Sequence, residues 1–212
     1  FENVNSEETF IDISNAKKVD NLIRKISPDV IIHLGAQSLV NESISNPLKT
    51  FSTNILGTAN LLAAAGALEK KILILNITSD KVYKNSENLE PFNESSELGG
   101  LDPYSCSKSC AELISHAFFD TYVNKLKLSN LSIANLRAGN VIGGGDWSRD
   151  RLIPDCVKAW SQNKKVIIRN PRSTRPWQHV LEAIRGYLVL AINLVNNNKL
   201  NGEVFNFGPT FS

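Results

Sequence analysis

Apolar residues follow two alternating patterns along the chain, short continuous runs and longer stretches with helical spacing. A short continuous apolar run is typical of a strand that is buried on both faces of a parallel sheet. Such runs occupy residues 29–34, 71–77 and 131–136, and a shorter strand is predicted at 9–13. Helical patterns cover residues 16–26, 46–66 and 103–126. The alternation of strands with helices predicts a parallel sheet that has helices on both faces.

The pattern changes after about residue 140, where the predicted elements become shorter. A glycine-rich loop is predicted at 137–147, helices at 152–160 and 181–195, and short strands or extended segments at 165–169, 175–180 and 204–207. We interpret this region as a smaller lobe that covers the substrate and is interleaved with the main sheet.

The side chains that carry the clearest chemistry are Tyr104 and Lys108, four residues apart on a predicted helix. Residues at this spacing lie on one face, about 6 Å apart along the helix axis. We expect the Lys108 ammonium to lower the pKa of the phenol, so that Tyr104 becomes a usable base. Ser79 follows an apolar strand and supplies a hydroxyl that can hold the substrate oxygen. The three residues are typical of a dehydrogenase that takes hydride from an alcohol carbon, and an exposed Tyr–Lys pair is the alternative.

The composition argues against a protein that binds nucleic acid, a membrane or a metal ion. The 212 residues carry a net charge of +2, which gives no electrostatic reason to expect a nucleic-acid partner. No apolar run reaches about 18 residues, so we expect no membrane partner and a cytoplasmic location. Three cysteines without a CxxC pair and three scattered histidines predict no metal site, and His33, inside an apolar strand, is interpreted as a core residue.

Two absences in the sequence lead to one expectation about how the chain begins. The sequence contains no methionine, and no Gly-x-Gly-x-x-Gly follows its first predicted strand. We therefore expect the chain to begin within a longer reading frame, as an N-terminally truncated form.

Seven segments occur in a fixed order along the chain: residues 33–37, 53–58, 78–81, 99–104, 137–147, 151–154 and 175–180. Together with Tyr104 and Lys108, they resemble the extended short-chain dehydrogenase/reductase family. Within that family the chain is similar to the nucleotide-sugar 4,6-dehydratases, and most of all to the branch that acts on CDP-glucose. The resemblance covers essentially the whole chain.

The resemblance implies a Rossmann-type, doubly wound parallel sheet that binds NAD, with a small C-terminal lobe that binds a nucleotide sugar. Residues 1–139 would form the NAD-binding portion without its first βαβ unit, and residues 140–212 the substrate-binding lobe. It also implies a homodimer formed through the helices at 47–66 and 103–126, and a role in deoxysugar biosynthesis for lipopolysaccharide O-antigen.

The implied reaction is the NAD-dependent dehydration of CDP-glucose to CDP-4-keto-6-deoxyglucose. Ser79, Tyr104 and Lys108 would serve the oxidation at C4. Asp80 would protonate the departing C6 hydroxyl, because hydroxide is a poor leaving group. Lys81 stands where many related dehydratases have an acidic residue, and either removal of the C5 proton or stabilisation of the enolate would suit it. An NDP-sugar 4-epimerase and a non-catalytic NAD-binding protein are the alternatives.

The same resemblance assigns two sets of binding residues. It implies that Asn54 holds the active-site backbone, with simple solvent exposure as the alternative. Other residues also have structural alternatives: a helix cap for Asp12, tight packing for Gly35, and surface salt bridges for the arginines. The cofactor-binding set is Asp12, Ile13, Leu34, Gly35, Ala36, Asn54, Ile77, Tyr104 and Lys108, and the substrate-binding set is Gln37, Asn140, Arg151 and Arg175.

Overall fold

Four parallel strands form the central sheet of the computed structural model, which describes residues 6–85, 91–128, 130–168 and 170–209. The strands are β1 (Val30–His33), β2 (Ile72–Ile77), β3 (Leu131–Ala138) and β6 (Val204–Phe207). The sheet order is β1-β2-β3-β6, so the last strand pairs with β3 and completes the main sheet. All the carboxyl ends therefore meet at one edge. The predicted parallel sheet is confirmed.

Seven α-helices surround the sheet in the described part of the chain. The helices are α1 (Ala16–Ile26), α2 (Val40–Ser45), α3 (Pro47–Phe51), α4 (Gly57–Gly66), α5 (Pro103–Phe118), α6 (Leu152–Ser161) and α7 (Val180–Asn196). Two π-helical segments adjoin them: Ser52–Leu56 joins α3 to α4, and Phe119–Lys125 continues α5. The long helices predicted at 46–66 and 103–126 are thus present, with a π-turn in each.

The hydrophobic core lies on both faces of the sheet, because successive side chains of a strand point to opposite sides. Ile72 and Ile74 of β2 pack in a cluster with α1 and α4. Leu73 and Leu75 pack in a second cluster with α7. Helices therefore cover both faces, as predicted for a doubly wound sheet. No helix within the described ranges has the length and apolar character needed to span a bilayer.

Three strand predictions were wrong, each because a strand depends on its neighbours. β1 is not buried on both faces: Val30 is 46% exposed and Ile32 40%, since α7 packs over β2 and β3 instead. Residues 9–13 form no strand, and Asn60 fixes the end of this segment by donating to the carbonyls of residues 13 and 14. Residues 165–168 are irregular, with Ile167 88% exposed, and residue 169 lies outside the described residues.

Smaller corrections concern the region after β3. β3 continues through Arg137 and Ala138, which had been assigned to the glycine-rich loop. A short parallel pair follows, β4 (Val141–Ile142) and β5 (Gln178–His179), so part of the predicted extended segment is a strand. The boundary near residue 140 between two functional portions stays a prediction.

Candidate active site

The predicted catalytic residues meet where the carboxyl end of β2 faces the first turns of α5. Asp102 caps α5 by accepting from Ser105 N at 3.0 Å, and Pro103 occupies the first helical position. This start places Tyr104 in the first turn and Lys108 one turn later, both buried. The buried Ser43 of α2 also accepts a hydrogen bond from Tyr104 N at 3.1 Å. The position of Tyr104 is therefore fixed through its backbone.

Ser79, Asp80 and Lys81 form a tight turn directly after β2. Ser79 caps a 3₁₀ turn, Asp80–Val82, and its hydroxyl accepts from Lys81 N at 3.2 Å. The same hydroxyl donates to Asp80 Oδ1 at 3.1 Å, and the Lys81 ammonium lies 3.1 Å from Asp80 Oδ2. The Asp80 carboxylate thus receives hydrogen bonds from both neighbouring side chains, in a partly exposed position.

The pKa of Tyr104 is raised, which contradicts the expected lowering by Lys108. Burial is the main cause, and the charges of Asp80 and Asp102 act in the same direction. A hydrogen bond with Ser79 and the positive charge of Arg151 oppose the increase. The structure therefore brings Ser79 and Tyr104 together as predicted, in surroundings that favour the neutral phenol.

Lys108 is bound to the end of β2. Its ammonium donates to the carbonyl of Ile77 at 3.0 Å, and burial lowers its pKa to about 8. The contact with Ile77, rather than one with the phenol, explains why this ammonium does not dominate the pKa of Tyr104. Lys108 and Ile77, two of the predicted cofactor-binding residues, are adjacent.

The turn after β1 contributes exposed backbone to the same edge of the sheet. Leu34 is 64% exposed, Gly35 is exposed and Ala36 is half-buried. Ile13 packs against this turn: a Cβ on Gly35 would lie 3.2 Å from Ile13 Cδ1, and a Cβ on Gly57 would lie 2.7 Å from it. The packing alternative therefore accounts for Gly35 and for the side chain of Ile13.

Asp12 forms a local turn, and it does not cap α1. Its carboxylate accepts from the amide of Ser14 at 2.9 Å and from the Ser14 hydroxyl at 2.8 Å, and these two bonds lower its pKa. The cap of α1 is Asn15, which accepts from Lys18 N at 3.0 Å. The exposed Asp12 stays a predicted cofactor residue.

Asn54 supports the backbone of the site from inside the first π-turn. Its amide oxygen accepts from Gln37 N at 2.7 Å, and its amide nitrogen donates to Gln37 O at 3.0 Å and to Ser107 Oγ at 2.8 Å. Ser107 in turn donates to the carbonyl of Tyr104 at 2.7 Å. Asn54 therefore holds the residues around the site instead of offering its amide to a cofactor, and π-turns of this kind are frequent at functional sites.

Two of the predicted substrate-binding residues, Gln37 and Arg151, form hydrogen bonds within the protein itself. The side-chain amide of Gln37 is bound to Leu39 O at 3.1 Å and to Thr50 Oγ1 at 2.8 Å, so it stabilises the protein's own loop. Arg151 donates to Ser38 Oγ at 3.2 Å and pairs with Asp146 at 3.1 Å. Because its charge acts on the phenol of Tyr104, the structure links Arg151 to the catalytic group.

Asn140 and Arg175 differ in what they offer a ligand. Asn140 Oδ1 is buried and has no hydrogen-bond partner among the described residues. Such an atom in a native protein calls for a partner, which a bound ligand would supply. Arg175 is exposed and its guanidinium donates to the adjacent carbonyl of Thr174. Within the described ranges, no contact ties Arg175 to the catalytic group.

Sequence reasoning missed two buried charged residues behind this site, Glu112 and Arg137. They form an ion pair, and neither side chain is exposed by more than a few per cent. A signal for them existed. Glu112 lies on the same face of α5 as Lys108, and Arg137 interrupts the otherwise apolar end of β3.

Residues 2–208 match the sequence model of the family described as GDP-mannose 4,6 dehydratase. The chain belongs to this family. The predicted extended short-chain dehydrogenase/reductase membership is thereby confirmed. This member is 45% identical over 200 residues to CDP-glucose 4,6-dehydratase of Salmonella typhimurium, across 93% of the chain and 56% of the relative. It is 32% identical to UDP-glucose 4-epimerase of Mycoplasma genitalium, across 94% of the chain and 61% of that relative.

Solved structures of family relatives share the fold. A dTDP-glucose 4,6-dehydratase from Streptomyces venezuelae, solved with NAD bound, aligns with a TM-score of 0.79 at 27% identity and covers 95% of this chain and 57% of its own. The enzyme of the same name from Bacillus anthracis, in complex with NAD, gives a TM-score of 0.76 at 25% identity, across 93% of this chain and 57% of its own. The family member described here spans somewhat more than half the length of the curated relatives it matches.

Proposed function

We propose that the protein, as the product of its whole reading frame, dehydrates CDP-glucose to CDP-4-keto-6-deoxyglucose. The observation that carries the proposal is the convergence of Ser79, Asp80 and Tyr104 where β2 ends against α5: the Ser79 hydroxyl donates to Asp80 Oδ1, and both residues act on the pKa of the Tyr104 phenol. A base, an oxygen-holding hydroxyl and an acid are the groups that oxidation at C4 and loss of the C6 hydroxyl require. The 45% identity to CDP-glucose 4,6-dehydratase supports CDP-glucose over other nucleotide sugars.

NAD is the cofactor we propose, and the residues at the carboxyl edge of the sheet fit it. The exposed turn Leu34 to Ala36 gives a ligand access to backbone groups. Lys108 has three N–H donors, and its one described hydrogen bond, to Ile77 O, leaves donors for ribose hydroxyls. These residues, with Tyr104, would hold the nicotinamide riboside. When bound, NAD supplies a hydride acceptor for C4 and later a hydride donor for C6.

Each catalytic side chain has a task that its position suits. Tyr104 accepts the proton of the 4-hydroxyl, while the Ser79 hydroxyl holds the oxygen as it becomes a ketone. Because burial raises the pKa of Tyr104, the phenolate needs nearby positive charge, and Arg151 supplies it. Asp80, protonated when the substrate is bound, delivers its proton to the departing C6 hydroxyl and is left as the carboxylate. Lys81, paired with Asp80, either removes the C5 proton as the amine or stabilises the enolate as the ammonium.

A 4-epimerase acting on UDP-sugars is the second candidate, because one relative with that activity is 32% identical to this chain. Epimerisation needs Ser79, Tyr104 and Lys108, but it has no use for an acid beside the catalytic hydroxyl. The Asp80–Lys81 pair therefore favours dehydration.

The experiment that separates the two activities offers the product of the complete reading frame CDP-glucose, dTDP-glucose, GDP-mannose and UDP-glucose in parallel. A 4-keto-6-deoxy product from CDP-glucose alone supports the proposal. Conversion of UDP-glucose to its 4-epimer, without loss of water, would support the epimerase. A protein that binds NAD and converts no sugar would be non-catalytic.

A homodimer formed through the helices 47–66 and 103–126 belongs to the same proposal. Both helices expose large apolar side chains: Leu48 is 79% exposed and Leu113 of α5 54%. Light scattering after size exclusion tests it, with Leu113→Glu expected to give the monomer mass and a dimeric Leu113→Glu contradicting this interface. A cytoplasmic location and a role in O-antigen deoxysugar biosynthesis are proposed on the resemblance.

A further inference from the structure

A buried ion pair lies directly behind the turn that carries Ser79, Asp80 and Lys81. Glu112 of α5 is fully buried, and Arg137 of β3 is 3% exposed. Arg137 Nε lies 3.1 Å and 3.0 Å from the two carboxylate oxygens, and a second guanidinium nitrogen also donates to the carboxylate. The planar guanidinium therefore engages Glu112 in a forked arrangement, which fixes both side chains.

The ion pair contacts the residues on both sides of the turn. We name residues 79–82 the catalytic turn. On its N-terminal side, the Thr78 hydroxyl lies 3.3 Å from Glu112 Oε2. On its C-terminal side, the Tyr83 hydroxyl accepts from Arg137 at 2.9 Å, and the guanidinium carbon lies 4.7 Å from the centre of the Tyr83 ring. One ion pair thus holds both ends of a four-residue segment.

The same helix carries Tyr104, so the contacts also fix the turn relative to the phenol. Ser109 of α5 donates to the carbonyl of Val82 at 2.8 Å, and Glu112 lies two turns after Tyr104. We propose that the Glu112–Arg137 ion pair is a positioning element, which holds the catalytic turn against α5 and so maintains the contact between Ser79 and Tyr104. The geometric claim stands by itself, and its effect on rate rests on the proposed function.

Energetic reasoning favours a positioning role over a purely stabilising one. A buried ion pair often contributes no more stability than apolar residues of the same volume, because both charges lose their hydration. Glu112 is nevertheless ionised: burial would raise its pKa, but His116, 3.8 Å away, and the hydrogen-bonded Arg137 outweigh burial and hold the pKa below its ordinary value. What the pair supplies, and apolar residues would not, is directed hydrogen bonding to Thr78 and Tyr83.

Amide hydrogen exchange in the protein tests the geometric claim without relying on activity. The amides of Lys81 and Val82 close the catalytic turn, bonded to Ser79 Oγ and Ser79 O, each at 3.2 Å. The double variant Glu112→Leu/Arg137→Met replaces the pair with apolar side chains and avoids an unpaired buried charge. We expect its exchange at these two amides to rise at least about tenfold relative to the amide of Ile74 in the core, since directed bonds at both ends are lost.

Two further variants keep the test decisive. Tyr83→Phe removes one hydroxyl and keeps the ring, so it should fold, and we expect roughly threefold to tenfold faster exchange of the turn relative to the core. Glu97→Gln is the matched control, because it removes an exposed ion pair with Lys84, next to the same segment. It should leave exchange at the turn unchanged.

The outcomes separate this inference from the proposed function. If neither Tyr83→Phe nor the double variant changes the exchange rate of the turn relative to the core, the pair does not position the turn. A selective increase supports the inference. If that increase occurs and kcat in the whole enzyme falls at an unchanged KM, the effect on rate is supported as well. If the whole enzyme converts no nucleotide sugar, the proposed function fails and the positioning claim is still decided by exchange.

Discussion

His33 should make the stability of this protein fall between pH 7 and pH 5. The ring is 6% exposed, and its Nε2 lies 3.0 Å from the Thr58 hydroxyl. That hydroxyl donates to Asn54 O at 2.7 Å, so the hydrogen between ring and hydroxyl must come from His33. The prediction that His33 is a core residue is confirmed. Burial, together with the charge of Lys108, lowers its pKa to about 4.

The sign and size of the effect follow from the two pKa values. The unfolded chain binds a proton at His33 near pH 6.5, whereas the folded protein resists protonation until about pH 4. Between these values the unfolded state holds more protons, so stability is fully present above pH 6.5 and decreases as the pH falls towards 4. A pH of 5 lies 1.5 units below the pKa of His33 in the unfolded chain, 6.5, which corresponds to a loss of about 2 kcal/mol in the free energy of unfolding.

Urea unfolding at pH 7 and pH 5 measures this loss directly. His33→Gln is the informative variant, because an amide can still donate to Thr58 but does not titrate. We expect the unaltered protein to lose about 2 kcal/mol more than His33→Gln between the two pH values. His179→Gln, at an exposed histidine, is the control and should keep the full loss. If the unaltered protein and His33→Gln lose equal stability, the depressed pKa is not a property of the folded protein.

Three further predictions concern chemistry. Tyr104→Phe should reduce C4 oxidation by roughly 10²–10⁴-fold, because it removes the base and keeps the ring; a variant retaining more than about a tenth of the rate would exclude Tyr104 from that role. Asp80→Asn should still reduce bound NAD, giving an absorbance burst at about 340 nm, where reduced nicotinamide absorbs, while the deoxy product forms slowly; formation at the unaltered rate would show that Asp80 is not the acid. The 212-residue chain should bind NAD weakly, because it contains no Gly-x-Gly-x-x-Gly for the pyrophosphate, and micromolar affinity by calorimetry would contradict this.

Elements whose partners are close in sequence could be predicted, and those that depend on distant neighbours could not. The helix at residues 16–26 was predicted with its observed ends, since its apolar spacing is a local feature. The run at 29–34 was predicted to be a strand that is buried on both faces; β1 forms there, but its burial was misjudged. Whether a face of β1 is covered depends on where α7 packs, more than 140 residues later. The failed strand at 9–13 has the same cause, because a strand needs a neighbour to pair with.

The residues of the candidate site show the same difference between local features and distant contacts. Ser79, Tyr104 and Lys108 could be brought together from sequence, because a strand end and one helix face suffice to place them. The supporting role of Asn54 was expected from the resemblance alone, since its contact with Ser107 spans 53 residues, and the Glu112–Arg137 pair, which spans 25 residues, was missed. Polar residues that are buried in pairs give little periodic signal, since each resembles a surface residue until its partner is known.

The raised pKa of Tyr104 shows that the prediction from helix spacing took no account of burial. A Lys four residues along a helix predicts attraction of the phenolate, but the spacing does not reveal how much water the fold removes from the phenol. Burial outweighs the local charge here, and Lys108 is turned to Ile77. In the proposed reaction, proton transfer to Tyr104 would therefore depend on positive charge near the phenol, which Arg151 supplies and to which a bound NAD would add. The proposed base would then be weak until the site is filled, so that catalytic competence would be coupled to ligand binding at this edge of the sheet.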